Sequence, residues 1–328
     1  MSAGAIWART AERGSIGALH AIVWIYRRFG RPLSISLLTP IAVYFVLSDG
    51  KSRRASLQYL RRLHAWPEAR GVFEREPGFL DSLRHFREFA INIFDRICVW
   101  PGEANRIEIR DEGSEHLFRL AQERRGAILL GAHLGSFDML RLLSERQKFK
   151  VNVLMFTRHV AQVTSYFERL YPGGRLRVIQ MDPGSIRAIF EIKACIDRGE
   201  FVGILGDRIG PGEEGRVATA SFLGRPAPFP LSPYLLAGLL GCPILLSLCL
   251  RTGDARYETV VKPLTQGGVV PRAEREKRAR ELLEAYARSL EQACCRAPLQ
   301  WFNLYDFWEA RAEPEPRARR GECRGDRL

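Results

Sequence analysis

The chain has 328 residues, 46% hydrophobic and 27% charged, enough apolar content for a sizeable core and too many charges for a bundle of membrane spans. Its net charge of +13 attracts acidic partners, whether anionic lipid, nucleic acid or an acidic carrier protein. Nucleic acid is set aside, because no helix-turn-helix, zinc-finger or aromatic RNA-binding pattern occurs.

Seven cysteines form no CxxC pair and no Cys/His cluster, which implies reduced, buried thiols facing a reducing cytoplasm. Only six of the 50 basic residues are lysines. Arginine grips phosphate and carboxylate with a planar fork, which suits phosphorylated ligands. A GC-rich coding sequence produces the same bias without functional meaning.

The first 50 residues stand apart. Ile16 to Tyr26 is apolar except for His20, Leu33 to Leu47 is a second apolar run broken by Pro40, and Arg27-Arg28-Phe29-Gly30-Arg31 lies between them. Each run falls short of the ~20 residues that cross a hydrocarbon core. No small-residue cleavage site follows the first run, which argues against a removable signal peptide. Trp7, Trp24, Tyr26 and Tyr44 suit an interfacial aromatic belt. The pattern predicts residues 1–50 to be a helical, membrane-associated segment lying in one leaflet and held by arginines. A buried helical hairpin would show the same pattern.

Polar-faced helices follow over residues 51–100, with Phe86, Phe89, Ala90 and Ile93 at helical spacing. Strands and helices then alternate. A short apolar strand over 127–130 ends at Gly131, a helix covers 137–146, and strands cover 151–156 and 176–180. Asp182 as N-cap and Pro183 in the first turn open a helix that Gly199 stops. A strand over 201–205 ends at Gly206-Asp207; runs 243–250 and 257–261 add strands, and a charged helix spans 273–296. The tail, 312–328, is expected to be disordered. This order predicts an α/β fold, a mostly parallel central sheet covered by helices, with ligands at the carboxyl ends of its strands. His133 and Asp207 both fall just past predicted strand ends.

The spacing of His133 and Asp138 alone means little, since six histidines yield about 0.7 chance matches to an acid five residues on. The setting is more telling: a buried strand, small residues beside the histidine, then a helix start. Attack of a hydroxyl on a thioester needs a base near neutral pH, and a carboxylate on the other ring nitrogen fixes the tautomer. Gly135 would leave room between the two side chains. The alternative makes Ser136 a plain helix cap and Asp138 a partner of the helix dipole.

The segment Gly131-Ala-His133-Leu-Gly-Ser-Phe-Asp138 resembles the His-x4-Asp motif of the lysophospholipid acyltransferase superfamily. Val202-Gly-Ile-Leu-Gly-Asp207-Arg208 and Ser221-Phe-Leu-Gly-Arg-Pro-Ala-Pro-Phe-Pro230 resemble the second and third blocks of its lipid A late-acyltransferase branch, the lauroyl and myristoyl transferases. Phe156-Thr157-Arg158 resembles a segment carrying an arginine in the superfamily. Two departures are Arg208, where the branch usually has Gln, and the aromatic stretch Gln300-Trp-Phe-Asn-Leu-Tyr-Asp-Phe-Trp308. The latter is similar to acyltransferases of aryl-polyene pigment pathways.

The resemblance implies an acyltransferase domain over residues 51–311, with His133 as general base and Asp138 as its orienting acid. Arg158, Asp207, Arg208 and Arg225 would line the polar end of the site, binding phosphate or positioning the acceptor. An Asp207–Arg225 ion pair bracing the loop is the other reading of those two. The donor would be an acyl thioester on acyl carrier protein, an acidic partner suited to the basic surface, and the acceptor a lipid A-like hydroxyl. No cofactor is implied, and no metal, since no histidine–carboxylate cluster supplies three ligands. The expected place is the cytoplasmic face of a Gram-negative inner membrane. Rival readings are an acyltransferase for an ornithine, glycerol or aryl-polyene lipid, and a non-catalytic lipid-binding protein of the same fold.

Overall fold

In a computed structural model, residues 16–98, 107–137, 149–156, 177–181, 186–213 and 215–309 are described. Two helices come first, α1 (Ile16–Phe29) and α2 (Arg31–Ser48), separated by Gly30 alone. Pro40 lies inside α2 without ending it. A proline there costs about 3 kcal/mol, offset by a buried stripe, Ser34, Leu38, Ala42 and Val46. Next come α3 (Gly50–Ala65) and α4 (Phe79–Cys98). Leu38 packs with Ile91 and Phe94 of α4, and Ala42 and Val46 with Phe86.

The outer side of α2 is apolar as well, with Leu33, Leu37, Tyr44 and Leu47 exposed. At 18 residues α2 is long and apolar enough to cross a membrane by length and composition; its length is about 27 Å.

The remaining elements in order are β1 (Glu108–Glu112), α5 (Glu115–Gln122), β2 (Ala127–Gly131), β3 (Val151–Phe156), β4 (Arg177–Met181), α6 (Arg187–Asp197), β5 (Phe201–Leu205), β6 (Val217–Phe222), β7 (Arg225–Pro230), α7 (Ser232–Leu240), β8 (Ile244–Gly253), β9 (Arg256–Thr265) and α8 (Arg275–Arg296). Among the described residues, seven strands form one sheet in the order β1-β9-β8-β2-β5-β3-β4. Strands β8, β2, β5, β3 and β4 run parallel, while β9 and β1 run against them. The fold is therefore the expected α/β arrangement, a mostly parallel sheet flanked by helices.

The central strand β2, Ala-Ile-Leu-Leu-Gly, is buried at every position, as a strand covered on both faces must be. The main core gathers Leu130, Val202, Phe222, Phe229, Tyr286 and Trp301.

Several elements differ from expectation. Strand β1 is polar and mostly exposed, so it carries no apolar signal; it is held at the sheet edge by pairing with β9. Residues 217–230, for which the sequence shows no strand pattern, form the β6–β7 hairpin, its strands joined through Leu223 and Gly224. Strands β8 and β9 extend beyond the expected runs as an antiparallel pair. The helix expected from Asp182 begins at Arg187, with residues 182–185 outside the description. The helix expected over 137–146 and the tail 312–328 also lie almost wholly outside it.

Arg31 links α2 to α4 through a buried ion pair and to the sheet through an exposed one. Arg31 at the start of α2 pairs with Asp95 of α4 at 2.5 Å and with Asp254 in the β8–β9 turn, while Tyr257 of β9 donates to Asp95.

Candidate active site

Strands β2 and β5 pair in parallel with Gly131 opposite Leu205. Both therefore end on the same rung, and the residues two positions further on, His133 and Asp207, emerge side by side at the carboxyl edge of the sheet. Gly206 N–H donates to the Gly131 carbonyl at 3.0 Å and closes the two ends together. His133 Nδ1 then lies 2.8 Å from Asp207 Oδ1, and His133 N–H donates to Asp207 Oδ2 at 2.9 Å.

Asp207 is wholly buried, and an unpaired carboxylate there would be untenable. Two further donors complete its shell. Trp301 Nε1 reaches Oδ2 at 3.0 Å, and Asn303 Nδ2 reaches the same oxygen at 2.9 Å. Burial pushes the carboxyl pKa up, but the adjacent His133, its hydrogen bonds and Arg208 outweigh this and hold it below its ordinary value. An ionised Asp207 on Nδ1 requires the Nδ1–H tautomer and leaves Nε2 as the basic lone pair. Burial, with Arg208 second, lowers the His133 pKa against the opposing pull of Asp207, so the ring is neutral at neutral pH. Nε2 has no hydrogen-bond partner among the described residues, and the His133 side chain is 25% exposed. The arrangement is a neutral base, oriented from behind and open in front.

The loop that follows β2 is held from two sides. Gly135 N–H donates to the Gln300 carbonyl, Ser136 N–H to the Cys249 carbonyl, and Phe302 N–H to the His133 carbonyl at 2.7 Å. Asn92 of α4 donates to the Gly135 carbonyl at 2.8 Å. Gly135 has φ +69°, and a Cβ there would stand 2.1 Å from the Cys249 oxygen. Glycine is required by this backbone approach, in addition to any room it leaves for Asp138. Tyr286 of α8 donates to the Gly131 carbonyl at 2.9 Å, fixing the strand end.

The aromatic stretch 300–308 is the strap that holds the site. Besides donating to Asp207, Trp301 accepts from His85 Nε2 at 2.9 Å through its carbonyl, and His85 Nδ1 accepts from Ser56 Oγ at 3.0 Å. Burial lowers the His85 pKa to about 4, so this fully buried ring stays neutral. The Trp301 indole is enclosed by Tyr59, Phe222 and Phe307, with ring centroids 4.8–5.1 Å away.

The other anticipated residues divide. Arg208 is directed at the strap: Nε donates to Asn303 Oδ1 at 2.6 Å, Nη2 to the Phe302 carbonyl at 3.0 Å, and its guanidinium lies over the Tyr305 ring. Arg225 opens β7 on the surface, and no ion pair joins it to Asp207, whose oxygens are occupied by the four donors above. Asp138 and Arg158 lie outside the described residues.

Sequence reasoning assigned no role to Trp301, Asn303, Tyr286 or His85. The density of aromatic and amide groups in 300–308 was the available signal. Cys195, Cys242, Cys249 and Cys294 are buried free thiols; burial raises the Cys242 pKa to about 11, far from nucleophilic. Among the described residues no group of three His, Cys, Asp or Glu side chains could hold a metal ion.

A family model for bacterial lipid A biosynthesis acyltransferases matches residues 19–309. No curated protein matches the chain. The match spans the N-terminal helices, the sheet, His133, Asp207 and the strap, and the chain belongs to the bacterial lipid A biosynthesis acyltransferase family.

Proposed function

We propose that this protein transfers an acyl group from a thioester on acyl carrier protein to a hydroxyl of a lipid A-like acceptor, at the cytoplasmic face of the inner membrane. The observation that carries the reading is the His133–Asp207 pair, with Nδ1 engaged and Nε2 free. In the proposed cycle Nε2 takes the proton of the acceptor hydroxyl as its oxygen bonds to the thioester carbonyl carbon. Asp207 stabilises the imidazolium that results. The C–S bond then breaks, and the leaving thiolate takes the proton from Nε2, restoring the neutral ring. No covalent enzyme intermediate is needed.

Asp138, carried by the family-like motif, is assigned as a second acid of the same site. Arg158 and Arg225 are assigned to substrate, and Arg208 to holding the strap beside Asp207. The membrane assignment draws on Trp24, Phe29, Tyr44 and Leu47, all more than half exposed, beside Arg27 and Arg28. Apolar side chains flanked by arginines favour an anionic interface. The acidic carrier suits a chain of net charge +13.

The test is transfer by the purified protein from acyl-carrier thioester to a lipid A precursor. His133→Ala should lower the rate at least ~100-fold, the lower end of general-base contributions. A His133→Ala variant that transfers at near the parent rate refutes the mechanism. A parent protein that binds lipid but never consumes thioester refutes the activity.

A further inference from the structure

Helix α4 carries His85, Glu88, Asn92 and Asp95 at spacings of three and four residues, which places all four on one face. Each of them bonds across to another element. His85 Nε2 donates to the Trp301 carbonyl at 2.9 Å, and Glu88 accepts from Arg251 Nε of β8 at 3.0 Å. Asn92 Nδ2 donates to the Gly135 carbonyl at 2.8 Å, and Asp95 accepts from the Tyr257 hydroxyl of β9. Phe86, Ile91 and Phe94 of the same helix pack instead on α2. The helix is clamped between the N-terminal apolar helices and the end of the sheet that carries the base.

Asn92 departs from its local pattern. It is the single polar residue in Phe89-Ala-Ile-Asn92-Ile-Phe94, and asparagine is a poor helix former because its amide competes for backbone groups. Its place inside a 20-residue helix has a physical reason in the bond to Gly135.

The Gly135 carbonyl needs a donor. Gly135 is buried, and a buried carbonyl left without a partner is costly. Glycine at φ +69° also has backbone conformations open to it that a side chain would forbid. Its peptide link to Ser136 therefore has to be held from outside. Other backbone supplies three holds on this segment: Phe302 N–H on the His133 carbonyl, the Gln300 carbonyl on Gly135 N–H, and the Cys249 carbonyl on Ser136 N–H. Side chains supply two more, one at each end. Asp207 takes the His133 N–H at 2.9 Å, and Asn92 gives to the Gly135 carbonyl.

We infer that Asn92 is a positioning residue for the base. By fixing the Gly135 peptide it keeps His133 in the orientation where Nδ1 meets Asp207 and Nε2 faces outward. The inference rests on reading His133 as the general base of acyl transfer, and it adds the helix from which that base is aimed. Losing the hold lets the base drift, and a displacement on the order of 1 Å lowers a rate ~100-fold.

The experiment compares the full chain with its Asn92→Leu and Asn92→Asp variants in steady-state transfer from acyl-carrier thioester to a lipid A precursor. Leucine favours the helix more than asparagine does, and aspartate keeps the shape; neither donates a hydrogen bond at neutral pH. Both variants should lower kcat ~10-fold or more and leave KM within about 3-fold, because the base moves and the substrate contacts do not. Ile91→Ala is the control, since it loosens the packing of α4 on α2. It should lower the melting temperature and keep kcat within about 3-fold of the parent. A second measurement needs no turnover: amide hydrogen exchange at Gly135 and Ser136 should quicken at least ~10-fold in both Asn92 variants, with Ile128, Leu129 and Leu130 unchanged.

Parent-like kcat in both Asn92 variants overturns the inference. So does an equal loss of kcat in Ile91→Ala, which would make the effect one of helix packing. Unchanged exchange at Gly135 and Ser136 overturns it as well, whether or not the parent transfers acyl groups. A parent that never consumes thioester, with exchange quickened in the variants, counts against the activity alone and leaves the hold of Asn92 on the loop established.

Discussion

Trp301 Nε1 donates to Asp207 Oδ2 at 3.0 Å while the carbonyl of the same residue accepts from His85 at 2.9 Å. One buried tryptophan thus joins the acid behind His133 to helix α4, 216 residues away in sequence. Trp301→Phe keeps most of the ring packing and removes one of four donors to a buried carboxylate. It should destabilise the protein by about 1–3 kcal/mol and raise the His133 and Asp207 titrations together. Thermal melting and a rate–pH profile check both; an unchanged profile would mean that the indole only fills space.

Asp207→Asn preserves shape but presents an amide to Nδ1 and removes the charge that stabilises the imidazolium. Transfer should fall by about 10²–10⁴-fold, by analogy with the acid of hydrolase triads. Asp138→Asn, measured alongside, apportions the two acids. If Asp138→Asn is the more damaging by an order of magnitude, Asp138 and not Asp207 is the principal partner.

The rate should fall on acidification. The His133 pKa is lowered, chiefly by burial, so the neutral base persists below pH 6.5 and is lost only as pH drops through its depressed value. Activity half-lost at or above pH 6.5 would contradict this environment.

Stability should follow the same sign through His85. The folded state holds this ring neutral, with a pKa near 4 against 6.5 ordinarily, so the unfolded chain binds the extra proton first. Above pH 6.5 the group contributes no pH dependence. Between pH 6.5 and about 4 it should remove about 3 kcal/mol of stability. Denaturant titrations across that window test it, and a His85→Gln variant should lose that part of the slope.

Gly135→Ala should cost about 3 kcal/mol or more, combining the penalty of a positive φ with a Cβ driven into the Cys249 carbonyl. Gly71 at φ +91° has open space around it, so Gly71→Ala isolates the backbone penalty and should cost about 1–2 kcal/mol. Comparable losses in the two variants would mean that the loop yields.

The α/β class followed from the alternation of short apolar runs with helical patterns. The runs at 127–131 and 201–205 were legible because strands buried on both faces must be apolar throughout. So was the position of His133 and Asp207 past two strand ends. What no local pattern carries is that those strands are neighbours with Gly131 opposite Leu205, which brings residues 74 apart within 2.8 Å.

Strand β1 and the β6–β7 hairpin carry no local signal for a related reason. A polar edge strand and a proline-rich ribbon owe their conformation to what they pair with or pack against. Helix α2 is the converse case, apolar on every side, so its composition could not say which face meets α4 and which stays exposed; only Leu38, Ala42 and Val46 seated on α4 decide that.

The sequence by itself determined the class of fold, the candidate base and an apolar, arginine-flanked start. These depend on composition and on periodicities read within a few residues. The tertiary structure decided that Asp207 meets His133 Nδ1 and that the aromatic strap supplies two further donors to that carboxylate. A hydrogen bond to a buried carboxylate is a matter of ångström distances between separate elements, set by strand register and packing together.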